Sequence, residues 1–149
     1  MCVQCTVLVD TSTETTKLDK LFKLQKRALR ICTHSHYLSH SKYIFHKLNT
    51  LNIFDINKLQ IALFMYRFTN DNLPNSFKGF FTKNKDLHNY NTRNADKYIT
   101  SNYNLNSIRN SIKYAGPILW NSLQNSLVNY KTINIFKSKY KSQLISHYN

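Results

Sequence analysis

At 149 residues the chain is long enough for one domain with a real core and too short for two of ordinary size. Its 21 Lys and Arg against 7 Asp and Glu give a formal net charge of +14, which favours an anionic partner, nucleic acid being the commonest, although a composition this rich in Asn, Lys, Ile, Tyr and Phe also arises from AT-rich coding. The longest uninterrupted apolar run, Ile61 to Tyr66, falls far short of the roughly 20 residues a membrane-spanning helix needs, so no membrane partner is expected.

Met1 to Thr16 reads as one short strand or a disordered lead, because Val3, Val7, Leu8 and Val9 sit among Thr and Ser with no cation before Lys17. It lacks the basic start and long apolar run of a secretory signal, so an intracellular protein, nuclear or cytoplasmic, is expected. Cys2 and Cys5 have the gap of a zinc knuckle, but Cys32 and His34 are too closely spaced to supply the usual second pair, and no metal is expected.

From Lys17 to Cys32 the periodicity is helical. At about 100° per residue, Leu18, Leu21, Leu24, Ala28, Leu29, Ile31 and Cys32 fall on one half of the wheel, with Phe22 at its edge. Lys20, Lys23, Lys26, Arg27 and Arg30 fill the opposite arc, with no acid in the sequence between Lys20 and Arg30. That self-repulsion is relieved by a phosphate backbone, or else tolerated as a solvated face. The Ser, His and Tyr segment with His34, His36 and His40 reads as a polar turn rather than a metal site.

A short helix is expected over Ser41 to Asn49, packing Tyr43, Ile44 and Leu48. Asp55 is the expected N-cap of the next helix, whose apolar residues from Ile56 to Phe68 lie almost all round, as in a central helix. Asn72-Leu73-Pro74 ends it, and Phe77, Phe80 and Phe81 tuck a turn of chain against the core. Thr82 to Asn106 has little periodicity and reads as a long polar loop. Within it His88, Tyr90, Arg93 and Lys97 mix stacking rings with cations, the pairing that single-stranded nucleic acid exploits; a plain surface loop is the alternative.

Ser107 is placed to cap a helix from Ile108 to Ala115. Gly116 and Pro117 then form an expected corner, the glycine stopping one helix and the proline starting the next, so that Leu119, Trp120 and Leu123 fold back into the core. Thr132 opens the last helix, with Ile133, Phe136, Tyr140 and Leu144 as an inward stripe and Lys137, Lys139 and Lys141 outside it. The sum is an all-α fold, a small irregular bundle of about five to six helices with one long polar loop, residues 17–149 forming a single domain.

Catalytic chemistry has little to stand on. No two of the seven acids, Asp10, Glu14, Asp19, Asp55, Asp71, Asp86 and Asp96, are sequence neighbours, and Gly79 and Gly116 are too few for a phosphate-cradling loop. No catalytic residue, cofactor or small-molecule substrate is expected.

Five stretches in order carry a family resemblance: Leu18 to Ile31, Leu48 to Ile53, His88 to Arg93, the Gly116-Pro-Ile-Leu-Trp-Asn-Ser-Leu123 run, and Phe136 to Leu144. Together they resemble the segment that follows the polymerase domain in LINE-type (non-LTR, jockey-like) retrotransposon reverse transcriptases, with coverage from about Lys17 onward. The resemblance implies a helical, nucleic-acid-associated tail of an RNA-directed DNA polymerase polyprotein whose catalytic Asp pair lies upstream and is absent here. Arg27, Arg30, His88, Thr92 and Arg93 match the family's recurring basic or polar positions. Gln124 stands where the family usually has Pro, and Met1 to Thr16 replaces the expected upstream sequence. The expected function is therefore non-catalytic binding of RNA or DNA through Lys20, Lys23, Lys26, Arg27, Arg30, His88, Tyr90, Arg93 and Lys97. A helical protein-interaction module, or an inert, decayed mobile-element copy, is the alternative.

Overall fold

The helix of residues Ile53–Thr69, α3, organises the fold. The helices α1 (Thr15–Cys32), α6 (Ile112–Ser122) and α8 (Ile133–Ser146) pack on it, and α2 (Ser41–Lys47) bridges α1 and α8. Single-turn helices α4 (Asn84–Leu87), α5 (Asn106–Arg109) and α7 (Asn125–Val128) connect them. These are residues of a computed structural model, which describes positions 15–87, 92–100 and 106–148. The architecture is all-α, with five helices longer than one turn among the described residues and a single isolated bridge, Lys83 to Tyr98, in place of a sheet.

The middle of α3 is buried because its apolar residues have neighbours on several sides. Ala62 and Met65 have no exposed surface, and Leu59, Leu63 and Tyr66 are nearly as deep. From α8, Phe136 is wholly buried and stacks on Tyr66 with ring centroids 4.8 Å apart, while Tyr140 and Trp120 each approach it at 5.9 Å. Tyr140 and Leu144 continue that inward stripe, as the spacing of the last helix requires, and Ile145 and Tyr148 extend it. Removing a buried ring like Phe136 costs about 3–5 kcal/mol. At the far end of α3, Phe81 is buried and meets Phe68, Phe80 and Tyr98 edge-on, so the expected aromatic tuck is present.

Four local expectations are corrected. The cap of α3 is Asn52, not Asp55: the Asn52 side chain accepts from the Asp55 N–H at 2.9 Å and donates to the Asp55 carboxylate at 2.8 Å, a reciprocal pairing across the first turn. In α2 it is Phe45 that is buried beside Ile44, whereas Tyr43 is 66% exposed. The chain breaks between α5 and α6, where the Ser111 hydroxyl donates to the Ile108 carbonyl, so no single helix runs from Ile108 to Ala115.

The fourth correction is the Gly116-Pro117 corner, which is no corner: α6 runs straight through both residues. A helical residue before proline normally suffers a clash between its Cβ and the proline ring, and glycine has no Cβ to clash. The same missing atom brings α6 close to α3, since a Cβ on Gly116 would stand 2.8 Å from the Met65 sulfur and 3.4 Å from the Phe81 ring. Glycine is there for proximity to a neighbour, with Pro117 buried beside it.

Helix α1 packs with the wrong edge of its apolar arc, judged by periodicity alone. Phe22 inserts between Phe45 and Phe54, at 6.2 and 5.4 Å between centroids, and Leu29 joins the core beside it. Gln25 is drawn inward as well, its amide donating to the Leu51 carbonyl at 2.9 Å and accepting from the Ile53 N–H at 3.0 Å. Those two bonds satisfy backbone groups at the unpaired start of α3. The contact face is thereby rotated by about a quarter turn from the centre of the leucine arc. Leu21, Leu24 and Ile31 are left 49%, 60% and 66% exposed.

Candidate nucleic-acid interface

The five cations of α1 divide into two groups. Lys20, Lys23 and Arg27 are exposed, with no carboxylate paired to them among the described residues. Lys26 lies over the Phe22 ring at 4.4 Å, and Arg30 donates through Nε and Nη2 to the Ser39 carbonyl at 3.3 and 3.1 Å. Both are half-buried, and both help to hold the fold. Lys26 covers an aromatic contact, and Arg30 ties the chain beyond the helix back onto it.

The end of α1 is shaped by a backbone reversal. His34 takes a left-handed conformation, φ 49°, and the Ser35 N–H then reaches the Arg30 carbonyl at 3.0 Å. The Thr33 hydroxyl donates to the Leu29 carbonyl at 2.9 Å and lies 2.7 Å from the Ser35 hydroxyl, fixing the turn. The reversal leaves an open cup of about 710 Å³ lined by Arg27, Arg30, Ile31, His34, Ser35 and Tyr37. Tyr37 stands at its rim 71% exposed, its ring 4.7 Å from that of His36. The exposed Arg27 guanidinium, an imidazole, a hydroxyl and an accessible aromatic face are groups that hold phosphate and stack bases. Composition marks this segment only as a polar turn. Its contribution depends on the positive φ at His34, which no periodicity encodes.

Among the described residues of the polar loop, Lys83 to Lys85 are bonded to Ala95 to Tyr98. The bridge between Lys83 and Tyr98 is extended by the Asn84 N–H donating to the Lys97 carbonyl at 3.0 Å and the Lys85 N–H to the Ala95 carbonyl at 2.9 Å. Tyr98 itself is buried, and Asn121 satisfies its backbone twice, accepting from its N–H at 3.0 Å and donating to its carbonyl at 2.8 Å. Arg93 and Lys97 are exposed in the turn that leads to Tyr98, while His88 and Tyr90 lie outside the described residues. Lys85 pairs with Asp96 at 3.0 Å; the hydrogen bond, then the charge, raises the ammonium's pKa and lowers the carboxyl's.

The two sets of candidate residues do not converge. Helix α1 meets α3 at its start, through Gln25 with Ile53 and Phe22 with Phe54. The loop meets its end, where the Tyr98 hydroxyl lies 3.0 Å from the Thr69 hydroxyl and its ring faces Phe68. Phe54 and Phe68 are fourteen residues apart, about 21 Å along a helix axis. Lys20, Lys23 and Arg27 with the cup therefore form one cationic surface, and Arg93 with Lys97 another.

Among the described residues no group of three or more His, Cys, Asp or Glu side chains gathers, and no helix is long and apolar enough to cross a membrane. Cys32 is free and exposed; Cys2 and Cys5 lie outside the described residues. No protein-family model, curated protein or solved structure matches the chain.

Proposed function

We propose that the chain binds single-stranded nucleic acid, RNA or single-stranded DNA, without catalysing a reaction on it. The observation that carries this reading is the adjacency of three exposed cations, Lys20, Lys23 and Arg27, none of them ion-paired among the described residues, to a cup that includes an exposed tyrosine ring. Phosphates lie along the cations, and one base stacks on Tyr37, a mode that tolerates any base because every base has a π-face. The resemblance to the segment following the polymerase domain of LINE-type reverse transcriptases agrees in kind, since such a segment works beside an RNA template, and a polyprotein origin is part of the proposal. Arg93 and Lys97 supply a second contact for longer strands.

The test is fluorescence anisotropy with labelled oligouridylate and oligodeoxythymidylate across a salt series. Affinity is expected to fall log-linearly with salt, with a slope of roughly −0.7 per phosphate contacted. The combined variant Lys20→Gln, Lys23→Gln, Arg27→Gln is expected to reduce the slope by about 2. Wild-type affinity and slope in that variant would reject the assigned surface, and salt-insensitive or absent binding would reject the function.

A further inference from the structure

The exposed edge of α1 carries a message that does not rest on the nucleic-acid reading, although Lys20 and Arg27 take part in both. Leu21, Leu24, Ala28 and Ile31 follow one another at spacings of three, four and three, the seam of a coiled coil, and all four side chains are exposed. A folded chain does not ordinarily leave a continuous leucine seam about 15 Å long in water unless something covers it. We propose that this seam is the docking site for an amphipathic helix of a partner whose flanking positions are acidic.

The choice of occupant follows from charge. Of the two flanks of the seam, one is turned into the molecule, where Leu18 is half-buried and Gln25 is bonded to Leu51 and Ile53. The other carries Lys20 and Arg27, seven residues apart in the flanking register that selects partners in coiled coils, both exposed and neither ion-paired among the described residues. A second copy of this chain laid antiparallel would set Lys20 and Arg27 against their own duplicates. A parallel copy would need the flank that the body already occupies. Both arrangements are opposed, one by repulsion and one by bulk, within a protein whose net charge is +14. A helix with Leu or Ile along its seam and Glu on its flank meets neither obstacle, and its carboxylates would reach the Lys20 and Arg27 heads while their aliphatic stems cover the seam's border.

Two synthetic 21-residue helices serve as probes, identical in a leucine seam and carrying either Glu or Lys at every flanking position. Titrated against the full chain, the Glu peptide is expected to bind at least about 100-fold more tightly than the Lys peptide. In the variant Lys20→Glu, Arg27→Glu the preference is expected to reverse. In Leu21→Ser, Leu24→Ser, Glu-peptide affinity is expected to fall about 10-fold or more, with the helical circular dichroism signal and oligouridylate affinity unchanged, because these side chains are exposed and touch no phosphate. The proposal is overturned if the two peptides bind alike or if binding ignores the leucines. It is equally overturned if sedimentation shows a wild-type dimer that the leucine variant loses, which assigns the seam to a second copy. Tighter leucine-dependent binding to phosphatidylserine vesicles than to the Glu peptide assigns it to a lipid surface and also overturns the proposal. Loss of oligouridylate binding in the wild type would sink the nucleic-acid reading and leave this one standing.

Discussion

The hydroxyl of Tyr148 donates a hydrogen bond to the carboxylate of Asp55, joining two residues 93 positions apart in the chain. The same hydroxyl accepts from the Asn52 N–H at 3.1 Å, so one phenol satisfies a backbone donor at the start of α3 and a carboxylate that is only 7% exposed. Lys58 at 2.9 Å and the Asn52 amide at 2.8 Å complete the carboxylate's shell. With Gln25 of α1 bonded to Leu51 and Ile53 nearby, the beginning of α3 is where α1, α3 and the chain after α8 are tied together by polar contacts.

Tyr148→Phe removes that hydroxyl and nothing else. A buried carboxylate then loses a donor and a helix-start N–H loses its acceptor, for an expected loss of about 1.5–3 kcal/mol. Urea unfolding followed by circular dichroism checks it, with the slope of the transition expected to stay at the wild-type value. A midpoint equal to wild type would show that the tie carries no net stability.

Gly116→Ala places a methyl group 2.8 Å from the sulfur of the fully buried Met65. The expected penalty is about 1–3 kcal/mol of overpacking, although alanine is the better helix former at an exposed site. Shortening the neighbour with Met65→Ala should make the pair non-additive, the double variant being more stable than the sum of the single losses requires. Additive losses would mean that the two atoms do not compete for the same space.

Tyr37→Ala tests the rim of the cup. The ring is 71% exposed and its ring contact is with exposed His36, so stability should change by no more than about 0.5 kcal/mol. Loss of one stacked base should weaken oligouridylate binding by about 1–3 kcal/mol with the salt slope preserved, because no phosphate contact is lost. Tyr37→Phe should restore the affinity.

Alkaline pH should unfold the protein through its buried phenols. Burial, and secondarily the nearby Asp55 charge, pushes the Tyr140 hydroxyl from its ordinary 10 up to about 12. Burial, reinforced by its bond to Asp55, raises that of Tyr148 as well. Unfolded chains surrender these protons first, so the contribution is present in full below pH about 10 and is lost as pH rises through about 12. Urea midpoints at successive pH values should decline across that window, and Tyr140→Phe should flatten the decline.

Where periodicity and burial coincide, the elements are legible in the sequence: α8 shows its Phe136, Tyr140, Leu144 stripe, and α3 its central place. Legibility fails where a polar side chain outweighs an apolar one. Gln25 turns α1 because two backbone groups of the α3 start need partners, and no wheel drawn from α1 alone contains that demand. Gly116 misleads for a related reason, since its value is in what stands opposite, Met65 and Phe81, both distant in sequence. The candidate interface divides likewise. Its cations are readable one by one, but the structural roles of Lys26 and Arg30 rest on contacts with Phe22 and Ser39, and the cup rests on a single backbone angle at His34.

Helix α3 also acts as a ruler. It anchors α1 at Phe54 and the loop at Phe68, two points about 21 Å apart on its axis. At about 3.4 Å per stacked nucleotide, the span between those anchor points corresponds to roughly six nucleotides, the order of length at which one strand reaches both cationic surfaces. Shorter strands engage one patch and gain nothing from the second, so affinity plotted against oligonucleotide length should show a step near that length rather than a smooth rise.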